Sequence, residues 1–290
     1  MLTTLFNWFN LNEDKKTYKY GWEKDGKWES EIINHFDGNY SSLNIFTYLK
    51  SYDNIKYLDL RNDTLIPIYD QLDLDSSTAN AISYCYEFDL SKRHDVNIIN
   101  PSRLFIYYNQ RKLQKNKDSE STNLGLSIHT GLNILHNIGI CAENTWQYIN
   151  NNYDILPSDE AYVEALNNKS VTYNAIDQDL KQIKSALINN YPVLFGFNVY
   201  DSFHNDNTTE TGVVTVPLEN EKLINSQAGV IVGFDDGDCV FIVRNSWGNN
   251  WGDQGYCYMP YEYILNSNLC SEFWILRQCV YANSDDINQE

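Results

Sequence analysis

The chain has 290 residues, 42% hydrophobic and 14% aromatic, with a formal net charge of −18. This is enough apolar material for one good-sized core or two lobes sharing one, and too much for a disordered chain. The acidic balance argues against a nucleic-acid partner, which needs clustered Lys and Arg. The absence of any run near the ~18 apolar residues of a bilayer span argues against a membrane one.

Residues 1–56 read as a polar N-terminal extension with Gly21, Gly26 and Gly38 as breakers, and 57–290 as the domain proper. The start, M-L-T-T-L-F-N-W-F-N, lacks the basic region and cleavage site of a signal peptide. In the domain, I-P-I-Y-D at 66–70 predicts a short edge strand around Pro67. Ser76 is an N-cap candidate, and Ala79, Ile82 and Tyr86 at helical spacing predict a helix to about Leu90. Stretches 101–113 and 126–137 are predicted helices separated by a polar loop. In 177–188, Leu180, Ile183, Ala186 and Leu187 share one helical face.

P-V-L-F-G-F-N-V-Y at 192–200 predicts a strand. A-G-V-I-V-G-F at 228–234, the turn D-D-G-D and C-V-F-I-V-R at 239–244 then predict a hairpin. Helices come first and strands later, with little βαβ alternation, so the fold class is α+β. The division expected is a helical lobe of about 71–170 and a β-rich lobe of about 171–290 that also takes a strand from 57–70.

The six cysteines show neither C-x-x-C pairs nor metal-ligand spacing. Spread mostly through apolar runs, they read as reduced, buried thiols of an intracellular protein; a Cys270–Cys279 bridge is the single alternative. No metal or cofactor is expected.

The strongest local signal is N-S-W-G-N-N-W-G-D-Q-G-Y, residues 245–256, directly after the hairpin. Two Trp and three Gly in twelve residues describe a tight, aromatic-lined turn that needs positive φ. An Asn at its head can orient a neighbouring imidazole, and a Trp-packed β-turn explains the pattern equally well.

Other residues change that balance. N-S-W-G-x-x-W-G-x-x-G-Y after F-I-V-R resembles the C-terminal signature of papain-like cysteine peptidases. Asp70 and Gln71, with a small residue that opens a helix six places on from the Gln, resemble the nucleophile motif D-Q-G-x-x-G-S-C. Q-A-G-V-I-V-G-F-D-D at 227–236 resembles the strand H-A-V-x-x-V-G-Y-D-D. Y-K-Y-G-W (18–22), T-A-N-A (78–81), P-S-R-L-F (101–105), G-I-C-A-E-N-T-W (139–146) and M-P-Y-E-Y (259–263) resemble a microbial and viral branch. The resemblance covers most of the chain beyond Tyr57. It implies a helical lobe and a β-barrel-like lobe with a cleft between them.

Carried over position by position, Gln71 falls on the oxyanion-hole Gln and Asn245 on the residue that orients the catalytic histidine. The nucleophilic Cys falls on Ser77, and the histidine on Gln227. Two loop glycines become Leu72 and Asp75, and the small residues before the histidine become Asn225 and Ser226. Papain-type catalysis needs a thiolate stabilised by an imidazolium and a helix N-terminus. A serine hydroxyl is a far weaker acid and needs a general base. A carboxamide cannot serve, since it neither accepts nor stores a proton near neutral pH. Losing such a base in a serine protease costs on the order of 10⁶ in turnover. Asp75, near the helix N-terminus, would hold an anion where charge should develop, and Asn245 could bond Gln227 instead of an imidazole.

Three functions follow. In the first, the chain is a catalytically inactive homologue, a binding or structural module that takes a peptide or protein ligand between Gln71, Trp247 and Trp251. In the second, Ser77 works in a serine-type hydrolase or acyl-transferase with a non-standard base, His204 being the candidate after the 192–200 strand. In the third, the chain is an architectural subunit, for example of a particle, whose cleft is filled by its own residues. Residues 1–56 are the candidate filler, as prosegments are in the family, though they are short for that and show no amphipathic helix. Abundant Asn, Ile, Tyr, Asp and Lys suit an AT-rich genome. With the viral branch resembled, this points to a viral protein or virion component, in the host cytoplasm or the particle.

Overall fold

The computed structural model describes residues 18–24, 54–63, 65–92, 99–115 and 126–279. A central antiparallel sheet runs in the order β2-β7-β3-β4-β5-β6, with β1 also pairing β4. Its strands are β1 (Tyr57–Asp59), β2 (Ser170–Ala175), β3 (Val193–Tyr200), β4 (Leu223–Asp235), β5 (Val240–Arg244), β6 (Tyr256–Pro260) and β7 (Cys270–Cys279). The helices α1 (Ser77–Ser91), α2 (Arg103–Lys115), α3 (Ile128–Asn137) and α4 (Asp159–Asn167) precede or flank it. Three shorter ones, α5 (Leu180–Ile188), α6 (Asp206–Thr211) and α7 (Tyr261–Ile264), lie among the strands. This is the helical-lobe and sheet-lobe architecture that the resemblance implies.

The helix between the lobes is α1. Every residue from Ser77 to Leu90 is buried, because α1 packs on β4 and β7 on one side and on α2 and α3 on the other. A helix enclosed on all sides has no polar stripe, which is why Thr78, Asn80, Ser83, Glu87 and Asp89 lie inside with its apolar residues. Buried polar groups need partners. Tyr69 Oη donates to the Glu87 carboxylate, whose pKa burial raises. Arg244 stacks over Tyr84, 4.2 Å from the ring centre. These contacts fasten α1 to the 66–70 segment and to β5.

The predicted helices and the 192–200 strand form close to their expected bounds. The hairpin forms as β4–β5, with Phe234 opposite Phe241. Residues 66–70 do not form a strand. Pro67 cannot donate to a ladder, the Ile66 and Pro67 carbonyls are taken by the Arg244 guanidinium, and only Asp70 bridges to Trp247. From 57–70, the strand is confined to β1.

Cys85, Cys141, Cys257 and Cys270 are buried free thiols and Cys239 an exposed one. Burial pushes the Cys141 thiol up to about 12. Cys270 and Cys279 stand at opposite ends of β7, opposite Phe197 and Ser170 respectively. The eight strand residues between them hold their backbones about 30 Å apart, too far for a disulfide, whose Cα atoms lie within about 7 Å. His35 and His94 lie outside the described residues, as does most of 1–56.

Candidate functional site

Four backbone segments meet at the N-terminus of α1. The loop Asp70–Ser76 brings in Gln71; α1 begins with Ser77; β4 carries Gln227 and Ala228; the turn after β5 carries Asn245, Ser246 and Trp247. Gln71 N donates to Ser246 O (2.9 Å) and Gly248 N to Tyr69 O (3.1 Å), tying the loop to the turn. The turn has the backbone its glycines suggest: Gly248, Gly252 and Gly255 have φ of 75°, 59° and 92°.

Ser77, Gln227 and Gln71 are fully buried, and Asn245 is nearly so. Gln227 Nε2 donates to Gln71 Oε1 (3.0 Å) and to Asn245 Oδ1 (3.0 Å). Gln71 Oε1 also accepts from Ser246 Oγ at 2.7 Å. The pairing of Gln227 with Asn245 is therefore present, and Gln71 extends it to a third amide. The Ser77 hydroxyl accepts from Ala228 N at 3.1 Å. Among the described residues, no imidazole, carboxylate or ammonium hydrogen-bonds it. Ser76 Oγ instead meets Tyr148 Oη (2.6 Å) and accepts from Asn80 Nδ2 (3.0 Å), so it does not cap α1 with its side chain.

The cleft is occupied by the chain's own residues 18–24. Gln71 Nε2 donates to Tyr20 O (2.7 Å) and to Leu74 O (2.8 Å). The amide expected to face an oxyanion thus holds a carbonyl of the same chain. Asp75 Oδ1 accepts from Tyr20 N at 3.4 Å, so this carboxylate faces the segment. Gly21 N and Trp22 N both approach Ser226 O at 3.4 Å, and Leu126 N donates to Gly21 O at 2.9 Å.

Trp247 Nε1 donates to Lys19 O (2.8 Å), and Tyr18 stacks on its ring at 4.6 Å. Trp247 is thus a wall, already covered. Trp251 is not one: it is fully buried, edge-on to Trp247 at 5.0 Å and stacked on Phe203 at 5.6 Å. Its ring N–H has no partner among the described residues, so ring packing under the turn holds it.

His204 does come to the cleft, but its Nε2 hydrogen-bonds Tyr20 Oη at 2.8 Å and its ring stacks near Trp247 at 5.8 Å. Burial lowers its pKa below 6.5, with Asp201 opposing, and burial first, then Asp201, pushes Tyr20 up to about 12. His129 is packed against Trp274 and His136 against Tyr173, both away from Ser77's partners. Sequence reasoning missed Ser246 and Tyr148; it named residues 1–56 as a candidate filler of the cleft, without singling out Tyr18, Tyr20 and Trp22, which are seated there. The signal for those three was there in Y-K-Y-G-W, assigned to a polar extension.

Among the described residues no His, Cys, Asp and Glu group could hold a metal ion, and no helix is long and apolar enough to cross a membrane.

The profile of the papain family cysteine proteases matches residues 110–275. An uncharacterized peptidase C1-like protein of Acanthamoeba polyphaga mimivirus is 42% identical over 232 residues, 76% of this chain and 74% of that protein. Cysteine proteinase 3 of Dictyostelium discoideum is 32% identical over 144 residues, 49% of this chain and 41% of that one. Of solved structures, xylellain, a cysteine protease from Xylella fastidiosa, superposes with a TM-score of 0.77 at 32% identity, over 91% of this chain and 98% of that one. The profile match includes Gln227 and Asn245 and starts beyond Gln71 and Ser77, where the loop departs from D-Q-G-x-x-G-S-C. Sequence and fold agree: this chain belongs to the papain family of cysteine peptidases.

Proposed function

We propose that this family member does not cut peptides and serves as a binding or structural module, its groove held at rest by residues 18–24. One observation carries the reading: Gln227, in the histidine position, spends its amide N–H groups on Gln71 and Asn245. A carboxamide in that place offers Ser77 no base; Gln227 Nε2 and Ser246 Oγ donate within the site, while Gln227 Oε1 and Asn245 Nδ2 are buried with no partner among the described residues. His204, the candidate substitute, is engaged by Tyr20.

In this reading Ser77 marks the lost nucleophile, and Gln71 and Asn245 keep the cleft floor folded. Asp75 and Trp247 hold the polypeptide in the groove. The ligand class is an extended protein segment bound through backbone hydrogen bonds. The identity to the mimivirus protein supports a viral protein working in the host cytoplasm or the particle.

The test is labelling with a fluorophosphonate, together with hydrolysis of a peptide library from acid to mildly alkaline pH. Both are run on the wild-type chain and on Trp22→Ala, which loosens the segment so that occlusion cannot hide activity. We expect no label at Ser77 and no cleavage from either protein. Labelling of Ser77 in either would overturn the reading in favour of a serine-type hydrolase or acyl-transferase.

A further inference from the structure

Position 196 is a glycine in the interior of β3, between Phe195 and Phe197. Strand interiors favour β-branched and aromatic residues, and glycine there weakens the strand, often marking a close approach. Gly196 is absent from the left-handed glycines, so no turn calls for it.

What approaches is an indole. A Cβ at 196 would lie 2.0 Å from Trp22 Cε2 and 2.4 Å from Cδ2 and Cζ2; the three nearest atoms all belong to that ring. Gly196 pairs with Ala228, whose N–H donates to Ser77, so the indole sits one strand away from the α1 entry. Trp22 is 5% exposed, yet its ring N–H has no partner among the described residues. Shape holds the ring, not a hydrogen bond.

The preceding residue is fitted as tightly. Gly21 has φ 149°, and a Cβ there would come within 2.2 Å of Asp75 O. Leu126 forms a parallel bridge to Trp22. Past Trp22 the groove opens into a polar cavity of about 360 Å³ bordered by Asn198, Asn225, Ser226 and Asn268.

We propose that Gly196 is a specificity-determining residue that makes the groove a receptor for a Gly-Trp element in an extended polypeptide. The chain's own Gly21-Trp22 is the resting occupant, and a partner protein carrying such an element displaces it. This rests on the segment-binding reading above.

The test uses full-length Trp22→Ala and a labelled peptide of residues 18–24, Y-K-Y-G-W-E-K, followed by fluorescence anisotropy. Saturable binding is expected, with the same peptide carrying Ala for Trp weaker by ~30-fold or more, as for a buried aromatic anchor. Adding Gly196→Val to the protein, with its far-UV circular dichroism unchanged, should abolish binding of the Trp peptide. Equal binding of the two peptides, or undiminished binding to the Val variant, overturns the Gly-Trp selection and leaves segment binding standing. No binding of either peptide overturns both.

If Trp22→Ala does not fold, hydrogen exchange in Gly196→Ala replaces it. There the Leu126 amide, which bonds Gly21 O, should exchange faster than in wild type while β4–β5 amides stay protected. Unchanged exchange at Leu126 overturns the proposal.

Discussion

On the β-rich side of the groove, the turn Asn245–Tyr256 has glycine at three of its left-handed positions, with Gln254 at a fourth. On the helical side, the loop Gln71–Ser76 makes a left-handed turn at Leu72, φ 51°, where the family pattern has glycine. The backbone path is nonetheless kept. Leu72 N donates to Asp70 Oδ1 at 2.9 Å, Leu74 N donates to Gln71 O at 3.2 Å, and the loop's N-terminal end is bonded to the turn. A path fixed by hydrogen bonds on either side of Leu72 accommodates a residue less suited to it than glycine, at a cost of about 1–2 kcal/mol. Catalytic chemistry has no such tolerance, because a proton acceptor is either present or not. The turn bears on aromatic packing and has glycine at three of its left-handed positions, whereas the loop carries leucine at its own.

The comparison breaks most visibly at Trp251. Replacing this fully buried ring with Ala empties the space under the turn and should lower unfolding stability by about 3–5 kcal/mol, read by urea denaturation. A loss under 1 kcal/mol would mean the turn does not depend on its aromatic support. Gln227→Ala removes the amide that joins helical side to β side. It should cost about 1–2 kcal/mol by leaving Gln71 Oε1 and Asn245 Oδ1 short of a donor, each keeping one bond from Ser246. No change in the denaturation midpoint would show the three-amide contact to be dispensable. The smallest effect should come from Leu72→Gly, which relieves left-handed strain but frees the unfolded chain. A net gain of up to about 1 kcal/mol is expected, and any destabilisation would show that the half-exposed leucine has gained a contact worth more than the strain.

Much of the cleft is legible in the residues because its signals are local. Helix periodicity, hairpin alternation and the Trp-Gly turn depend on neighbours along the chain, so α1, β3 and the β4–β5 hairpin appear near their predicted positions. The 66–70 stretch misleads because its carbonyls satisfy a guanidinium 177 residues away from Pro67, a partner that strand propensity does not see. Trp251 misleads as a groove wall because spacing alone cannot tell which of two nearby indoles faces outward.

Sequence by itself determined the α+β class and the family resemblance, and it is the source of the proposal that Ser77 and Gln227 stand where papain-type chemistry requires other residues. These are statements about residue identity and short-range pattern. Only the tertiary structure decided that Gln227 closes an amide network with Gln71 and Asn245, that Trp251 lies in the core, and that Tyr18–Lys24 fills the cleft. Each depends on groups far apart in sequence competing for one buried space, and that competition is settled by packing and hydrogen-bond satisfaction.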